Sequence, residues 1–178
     1  MALLPKLPPH PIVTGNIKRA LAALVIILVA DQFTKWLVVE RMNLREIGSI
    51  DFIPFLNFRM AWNTGMNFGF LSADDATGRW IIIAFTATLA AAIVTASLWR
   101  RRPLSAIGLG IAAGGAIGNL IDRFIHGAVA DFINMSGFGF QNPWSFNIAD
   151  IAIFAGFALL FWPAPKPAAT QTAEPADG

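Results

Sequence analysis

Four aspartates stand out as groups able to do chemistry: Asp31, Asp122, Asp131 and Asp150. Each lies within or beside a strongly apolar run, where a charged side chain is costly and marks a functional interior or a paired structural site. Two carboxylates held close cannot both ionise easily, so one keeps its proton while the other is charged. The charged one can take a proton from a water as that water attacks a carbonyl. The protonated one can polarise the carbonyl oxygen and later protonate the leaving amine. Such cleavage of a peptide bond needs no metal and no thiol. The 178-residue chain has no cysteine, and its two histidines, His10 and His126, make a histidine-built metal centre unexpected.

Other catalytic arrangements have less behind them. Ser136-Gly137 with His126 as base resembles an intramembrane serine protease, yet Asn134 stands where a glycine is needed. A serine–lysine dyad through Lys35 has no supporting motif, and no His-Glu-x-x-His zinc signature occurs. Structural readings compete as well. Asp31 and Lys35 have i,i+4 ion-pair spacing, Asp122 is followed by Arg123, and Asp150 could be a charge favoured by a helix start.

The elements that must position these residues are membrane helices. The chain is 56% apolar and 13% charged, against about 25% charged in soluble domains. Apolar runs predict four spans, at about Ile17 to Val39, Trp80 to Trp99, Leu104 to Ile125 and Ile148 to Trp162. The last is short and ends before Pro163 and Pro165. Residues 1–16 are Pro-rich and read as a disordered tail rather than a cleaved signal peptide. Residues 17–163 form the membrane domain, and 164–178 a second disordered tail. The segment 40–79 alternates like a strand at Ile53, Phe55, Asn57 and Arg59, which predicts a small sheet on the outer surface. The fold class is therefore an all-α membrane bundle of four transmembrane helices with a small extracytoplasmic β-sheet and a loop or helix lid.

The net charge is +2, and its clusters read as topology signals rather than nucleic-acid contacts. Lys18 and Arg19, the run Arg100-Arg101-Arg102, and Lys166 fall on one side of a four-span chain. That side is cytoplasmic by the positive-inside rule, with both termini inside. Trp36, Trp62, Trp80 and Trp144 fit the outer interface, and Trp99 and Trp162 the inner one. The same topology brings all four aspartates to the outer leaflet. Helical spacing sharpens this convergence. Asp31, Thr34 and Lys35 share one face, as do Gly115, Gly118, Asn119 and Asp122. Gly110, Gly114 and Gly118 read as a small-residue packing seam.

Five blocks in order resemble bacterial lipoprotein signal peptidase, also called signal peptidase II. They are Asp31-Gln-Phe-Thr34-Lys35, Asn63-Thr-Gly65-Met-Asn-Phe68-Gly69, Gly114-Gly115-Ala-Ile-Gly118-Asn119-Leu-Ile-Asp122-Arg123, Val129-Ala-Asp131-Phe132 and Phe146-Asn147-Ile-Ala149-Asp150. The resemblance implies an aspartic endopeptidase of the bacterial inner membrane, working at its periplasmic side. It would remove signal peptides from diacylglyceryl-modified prolipoproteins, cutting on the amino side of the lipidated cysteine. It implies Asp131 and Asp150 as the catalytic pair, which spacing alone cannot choose over Asp122. It also implies supporting or substrate-binding roles for Asp31, Lys35, Asn63, Gly65, Gly115, Asn119, Asp122, Arg123 and Asn147. No cofactor is implied. Membrane lipids, inhibition by globomycin-like cyclic peptides and a monomeric state are expected. Asn67 and Ala130 depart from the family's usual alanine and valine.

Two rival classes fit intramembrane aspartates: a transporter or proton conductor, and an assembly factor whose aspartates hold helices together. A conduit needs polar groups across the whole depth, whereas these crowd at one level. The segment from Asn63 to Phe70 is expected to close over the substrate and limit water.

Overall fold

The computed structural model describes residues 11–65 and 76–163. Helix α1 (Pro11–Trp36) starts at a proline and runs through helix-forming Ala and Leu without another proline. It begins at Pro11 rather than at Ile17, so residues 11–16, expected in a disordered tail, are its first turns. It passes into a π-helical turn (Leu37–Arg41) and a short α2 (Leu44–Ile47). Strands β1 (Ser49–Ile53) and β2 (Leu56–Asn63) form a hairpin in the segment expected to hold a sheet, and its turn at Pro54 and Phe55 breaks the alternation read through Ile53, Phe55, Asn57 and Arg59.

Helices α3 (Ala76–Leu98) and α4 (Pro103–His126) follow. Pro103 opens α4, and Gly127 closes it with φ of 75°, where a side chain would be strained. Strand β3 (Val129–Asn134) then pairs antiparallel with β2, and β4 (Ser145–Phe146) pairs with β3. The sheet order is β1-β2-β3-β4. Strands β3 and β4 lie outside the segment 40–79 in which the sheet was expected. Helix α5 (Ile148–Leu160) ends the described chain, stopping at Leu160 rather than Trp162.

Three helices, α1, α3 and α4, are long and apolar enough to cross a membrane; α5 is a shorter apolar helix. In an 18-residue window, 67% of α4 is buried but only 17% of α1 and 22% of α3. Helix α4 is therefore the axis of the bundle. Its glycines make that possible. A Cβ at Gly110 or Gly114 would strike backbone carbonyls of α1, at Ala20 and Leu24, and one at Gly118 would strike the Asp31 carboxyl. Gly108 meets Gly156 of α5 in the same way. The seam of Gly110, Gly114 and Gly118 thus packs on α1, while Gly108, outside it, packs on α5.

One end of the bundle is tied by Asn16, which is buried and donates to the carbonyls of Arg100 and Arg101. Arg102 donates to the Trp162 carbonyl at the same end. The start of α1, the α3–α4 connection and the end of α5 thus gather together, and the four aspartates lie at the other end. Between them sits an apolar core including Ala90, Ile93, Leu109 and Ala113. A second small core of Val38, Leu44 and Phe132 joins the π-helical turn and α2 to the sheet. Residues 1–10, 66–75 and 164–178 lie outside the described residues, so both outer stretches of the expected tails, most of the expected lid and Asn67 do too.

Candidate active site

Lys35 lies at the centre of a buried polar network. Its ammonium donates to Asp31 Oδ2, Asp122 Oδ2 and Asn119 Oδ1, each at 2.9 Å. All three N–H bonds are used, and Lys35, Asp31 and Asp122 are almost fully buried. Burying such charges is tolerable because each is paired and hydrogen-bonded. Asp122 therefore pairs with α1, not with its neighbour Arg123.

Each carboxylate also fixes backbone from another element. Asp31 Oδ1 accepts from the Ala149 N–H at 3.0 Å, holding the first turn of α5. Asp122 Oδ2 accepts from the Ala130 N–H at 3.1 Å, holding β3 one residue before Asp131. Gln32 bridges Asp31, Asp122 and the Gly118 carbonyl at 3.1 to 3.2 Å. Sequence spacing missed Gln32, because its Cα is off the shared face and its long side chain reaches back. Thr34 was placed on that face but does not join the network; its hydroxyl bonds the Ala30 and Asp31 carbonyls of its own helix.

Asn119 carries the network to Asp150. Its carbonyl oxygen accepts from Lys35 and from Asn147, and its amide donates to Asp150 Oδ1 at 2.9 Å. Asn147 then links the last two aspartates. Its side-chain amide donates to Asp131 Oδ1 at 2.6 Å, and its backbone N–H donates to Asp150 Oδ2 at 3.3 Å. Asp150 returns a backbone N–H to Asn147 Oδ1 at 2.9 Å, completing a capping box at the start of α5. The structural reading of Asp150 as a helix-start charge is correct, and the same carboxyl also belongs to the site. Gly115 makes the approach possible, since a Cβ there would strike the Ala149 carbonyl.

Asp131 sits on β3 opposite Ala61 of β2. Its Oδ2 accepts from Asn63 at 3.1 Å. Burial pushes its carboxyl up from 3.8 to about 6, and the neighbouring Asp150 adds to the rise, while the amides of Asn63 and Asn147 and the charge of Lys35 oppose it. A cavity of about 620 Å³ opens beside it, lined by Asn63, Gly65, Arg123, Asp131 and the walls at Trp62 and Trp144. Arg123 spends one N–H on its own helix, at the Asn119 carbonyl, and its buried Nε has no hydrogen-bond partner. Gly65 donates its N–H to Asn63 Oδ1, orienting that amide toward Asp131.

Of the residues singled out in the sequence, Asp31, Lys35, Asn119, Asp122, Asp131, Asn147 and Asp150 join the network, Asn63, Gly65 and Arg123 line the cavity with Asp131, and Gly115 lets α5 approach α4. The serine alternatives do not assemble. Ser136 is tied to Asn134 and the Asn142 N–H in a hairpin, His126 packs its ring on Trp62 at 5.1 Å, and Lys35 has no free N–H. Trp62 is half-buried by that contact, whereas Trp36, Trp80 and Trp144 are exposed. Among the described residues no group of three or more His, Cys, Asp or Glu could hold a metal ion. What the arrangement offers is two neighbouring carboxyls, each fixed by amide donors, of which Asp131 has a raised proton affinity and lines an open cavity.

Residues 23–164 match the family model for signal peptidase (SPase) II. The lipoprotein signal peptidase of Rhodopseudomonas palustris is 39% identical over 152 residues, covering 82% of this chain and 91% of that protein. The lipoprotein signal peptidase of Caulobacter vibrioides is 40% identical over 150 residues, covering 82% and 84%. A bacterial membrane enzyme determined by the in meso method at 1.9 Å resolution has a TM-score of 0.66 at 29% identity, covering 80% of this chain and 90% of that one.

Proposed function

This chain belongs to the signal peptidase II family, and from that premise we propose that it is an aspartic endopeptidase of bacterial prolipoproteins. It removes the signal peptide from diacylglyceryl-modified precursors, cutting on the amino side of the lipidated cysteine. Asp131 and Asp150 are the catalytic pair. The observation that carries this reading is Asn147, which donates to both carboxyls and leaves Asp131 on the cavity.

With one proton shared by the pair, the charged carboxylate takes a proton from a water attacking the scissile carbonyl. The other carboxyl donates a hydrogen bond to the carbonyl oxygen, and its proton goes to the leaving amine. Asn63, Asn119 and Asn147 hold the two carboxyls in place. Asp31, Lys35 and Asp122 anchor the elements that carry them, and Arg123 supplies positive charge and a spare N–H donor to the cavity. Gly65 and Gly115 permit the close approaches described above. No cofactor enters the scheme.

In the cell, four spans including the short α5 cross the inner membrane, with both termini cytoplasmic and the cavity at the periplasmic face. An acylated peptide can reach such a site without leaving lipid. The segment from Asn63 to Phe70 acts as a lid. The enzyme works as a monomer and is blocked by globomycin-like cyclic peptides.

The deciding experiment incubates purified protein with diacylated and non-acylated precursors, and repeats it with Asp131→Asn and Asp150→Asn. Cleavage of the lipid-bearing precursor alone, abolished in both variants with insertion intact, is the expected result. Normal cleavage in either variant ends the aspartic mechanism, and misfolding of both supports a structural role for the carboxyls.

A further inference from the structure

Helix α1 presents one apolar stripe outward. Ile26, Val29, Phe33 and Trp36 are 66%, 61%, 57% and 44% exposed, and steps of three and four residues put them on one side of a helix. In a multi-pass membrane protein such a stripe faces acyl chains, and a tryptophan at its end lies at the headgroup level. The rings of Phe33 and Trp36 are 5.8 Å apart. Arg41 stands over the Trp36 ring, its guanidinium carbon 5.0 Å from the centroid.

The π-helical turn makes this stacking possible. In an ordinary α-helix five residues leave the two side chains roughly 140° apart around the axis. The wide turn Leu37–Arg41, closed by the Met42 N–H on the Leu37 carbonyl at 2.8 Å, narrows that offset. Such insertions often mark functional positions. Among the described residues no carboxylate pairs with Arg41, since both ion pairs belong to Lys35. Its planar fork of N–H donors is held on the indole and left open to solvent or headgroups.

We propose that Trp36 and Arg41 form a binding site for a phospholipid headgroup. The guanidinium takes the phosphate, the indole sits at the boundary with the acyl chains, and the stripe below accepts one of those chains. Charge alone would suit a free anion; the continuous apolar stripe selects a lipid. The same helix carries Asp31 and Lys35 on its buried side, so a headgroup held here sets the depth of the polar network in the bilayer.

Native mass spectrometry of the detergent-purified chain titrated with dioleoyl phosphatidylglycerol tests this. Arg41→Gln and Trp36→Leu should each bind the lipid about tenfold more weakly, the loss of one charged hydrogen-bonded contact. Arg45→Gln, at an exposed arginine outside the stack, should bind as the unaltered chain does. Millimolar sodium phosphate should not displace the lipid, and diacylglycerol should not distinguish Arg41→Gln from the unaltered chain. Equal lipid binding by Arg41→Gln, an equal loss in Arg45→Gln, or displacement by phosphate overturns the proposal. Should Arg41→Gln fail to fold, Arg41→Lys retains the charge without the planar stack; it should bind several-fold more weakly, and unchanged binding is again decisive against the site.

Discussion

The carboxamide of Asn147 donates to Asp131 at 2.6 Å while the same residue caps α5. One side chain therefore sets both the helix start and the orientation of a carboxyl on a neighbouring strand. Asn147→Ala loses both. It should lower kcat about 100-fold through misplacement of the pair, with roughly 1 kcal/mol of lost stability from the missing cap. Single-turnover cleavage and thermal unfolding in detergent separate the two effects; loss of stability with kcat unchanged would remove Asn147 from the chemistry.

The raised proton affinity of Asp131 predicts a pH dependence. Its ordinary value is 3.8 and its folded value about 6, so the folded state holds an extra proton in that window. The stability this contributes is present below 3.8 and is lost as pH rises through about 6. Unfolding temperature should fall across that range, and Asp131→Asn should lack this slope. Cleavage at low substrate should decline above the same pH, as Asp131 loses its proton. A flat profile through pH 6 for the unaltered chain contradicts the shared-proton scheme.

Removing Lys35 should be severe. Lys35→Met leaves Asp31 and Asp122 buried without their cation, a loss of about 3–5 kcal/mol. Adding Asp31→Asn to Lys35→Met should cost less than the sum of the two single changes, because the unpaired charge is then gone. Strict additivity in unfolding measurements would mean that the pair does not interact as its 2.9 Å contact implies.

Glycine substitutions offer a purely steric test. Gly118→Ala puts a methyl on the Asp31 carboxyl and Gly115→Ala puts one on the Ala149 carbonyl. Each should destabilise by about 1–3 kcal/mol. Gly15→Ala meets nothing within 4 Å and serves as the control. Equal unfolding temperatures for all three would show that the helices are less closely packed than described.

Much of the site could be read from the sequence because helical spacing and topology act over few residues. Asp31 with Lys35, and Asn119 with Asp122, lie one turn or less apart and face each other across the α1–α4 seam. The strand bearing Asp131 was harder. Val129–Asn134 is buried on both faces, so it lacks the polar–apolar alternation that reveals a half-exposed strand. Its partner β2 lies far upstream, and nothing local announces the pairing of Ala61 with Asp131. Which of Asp122 and Asp131 faces open space is likewise a tertiary matter. Asp122 is consumed by Lys35, Gln32 and the Ala130 N–H, while Asp131 faces the cavity.

The Asp31–Lys35 pairing within a single helix bears on biosynthesis. The ribosome completes α1 long before α4 is made, so Asp31 and Lys35 enter the membrane with neither Asn119 nor Asp122 yet available. Being one turn apart, each supplies the other's counter-ion, and the pair carries no net charge into lipid where two isolated charges would be costly. Asp122 arrives later to an ammonium that is already waiting for it.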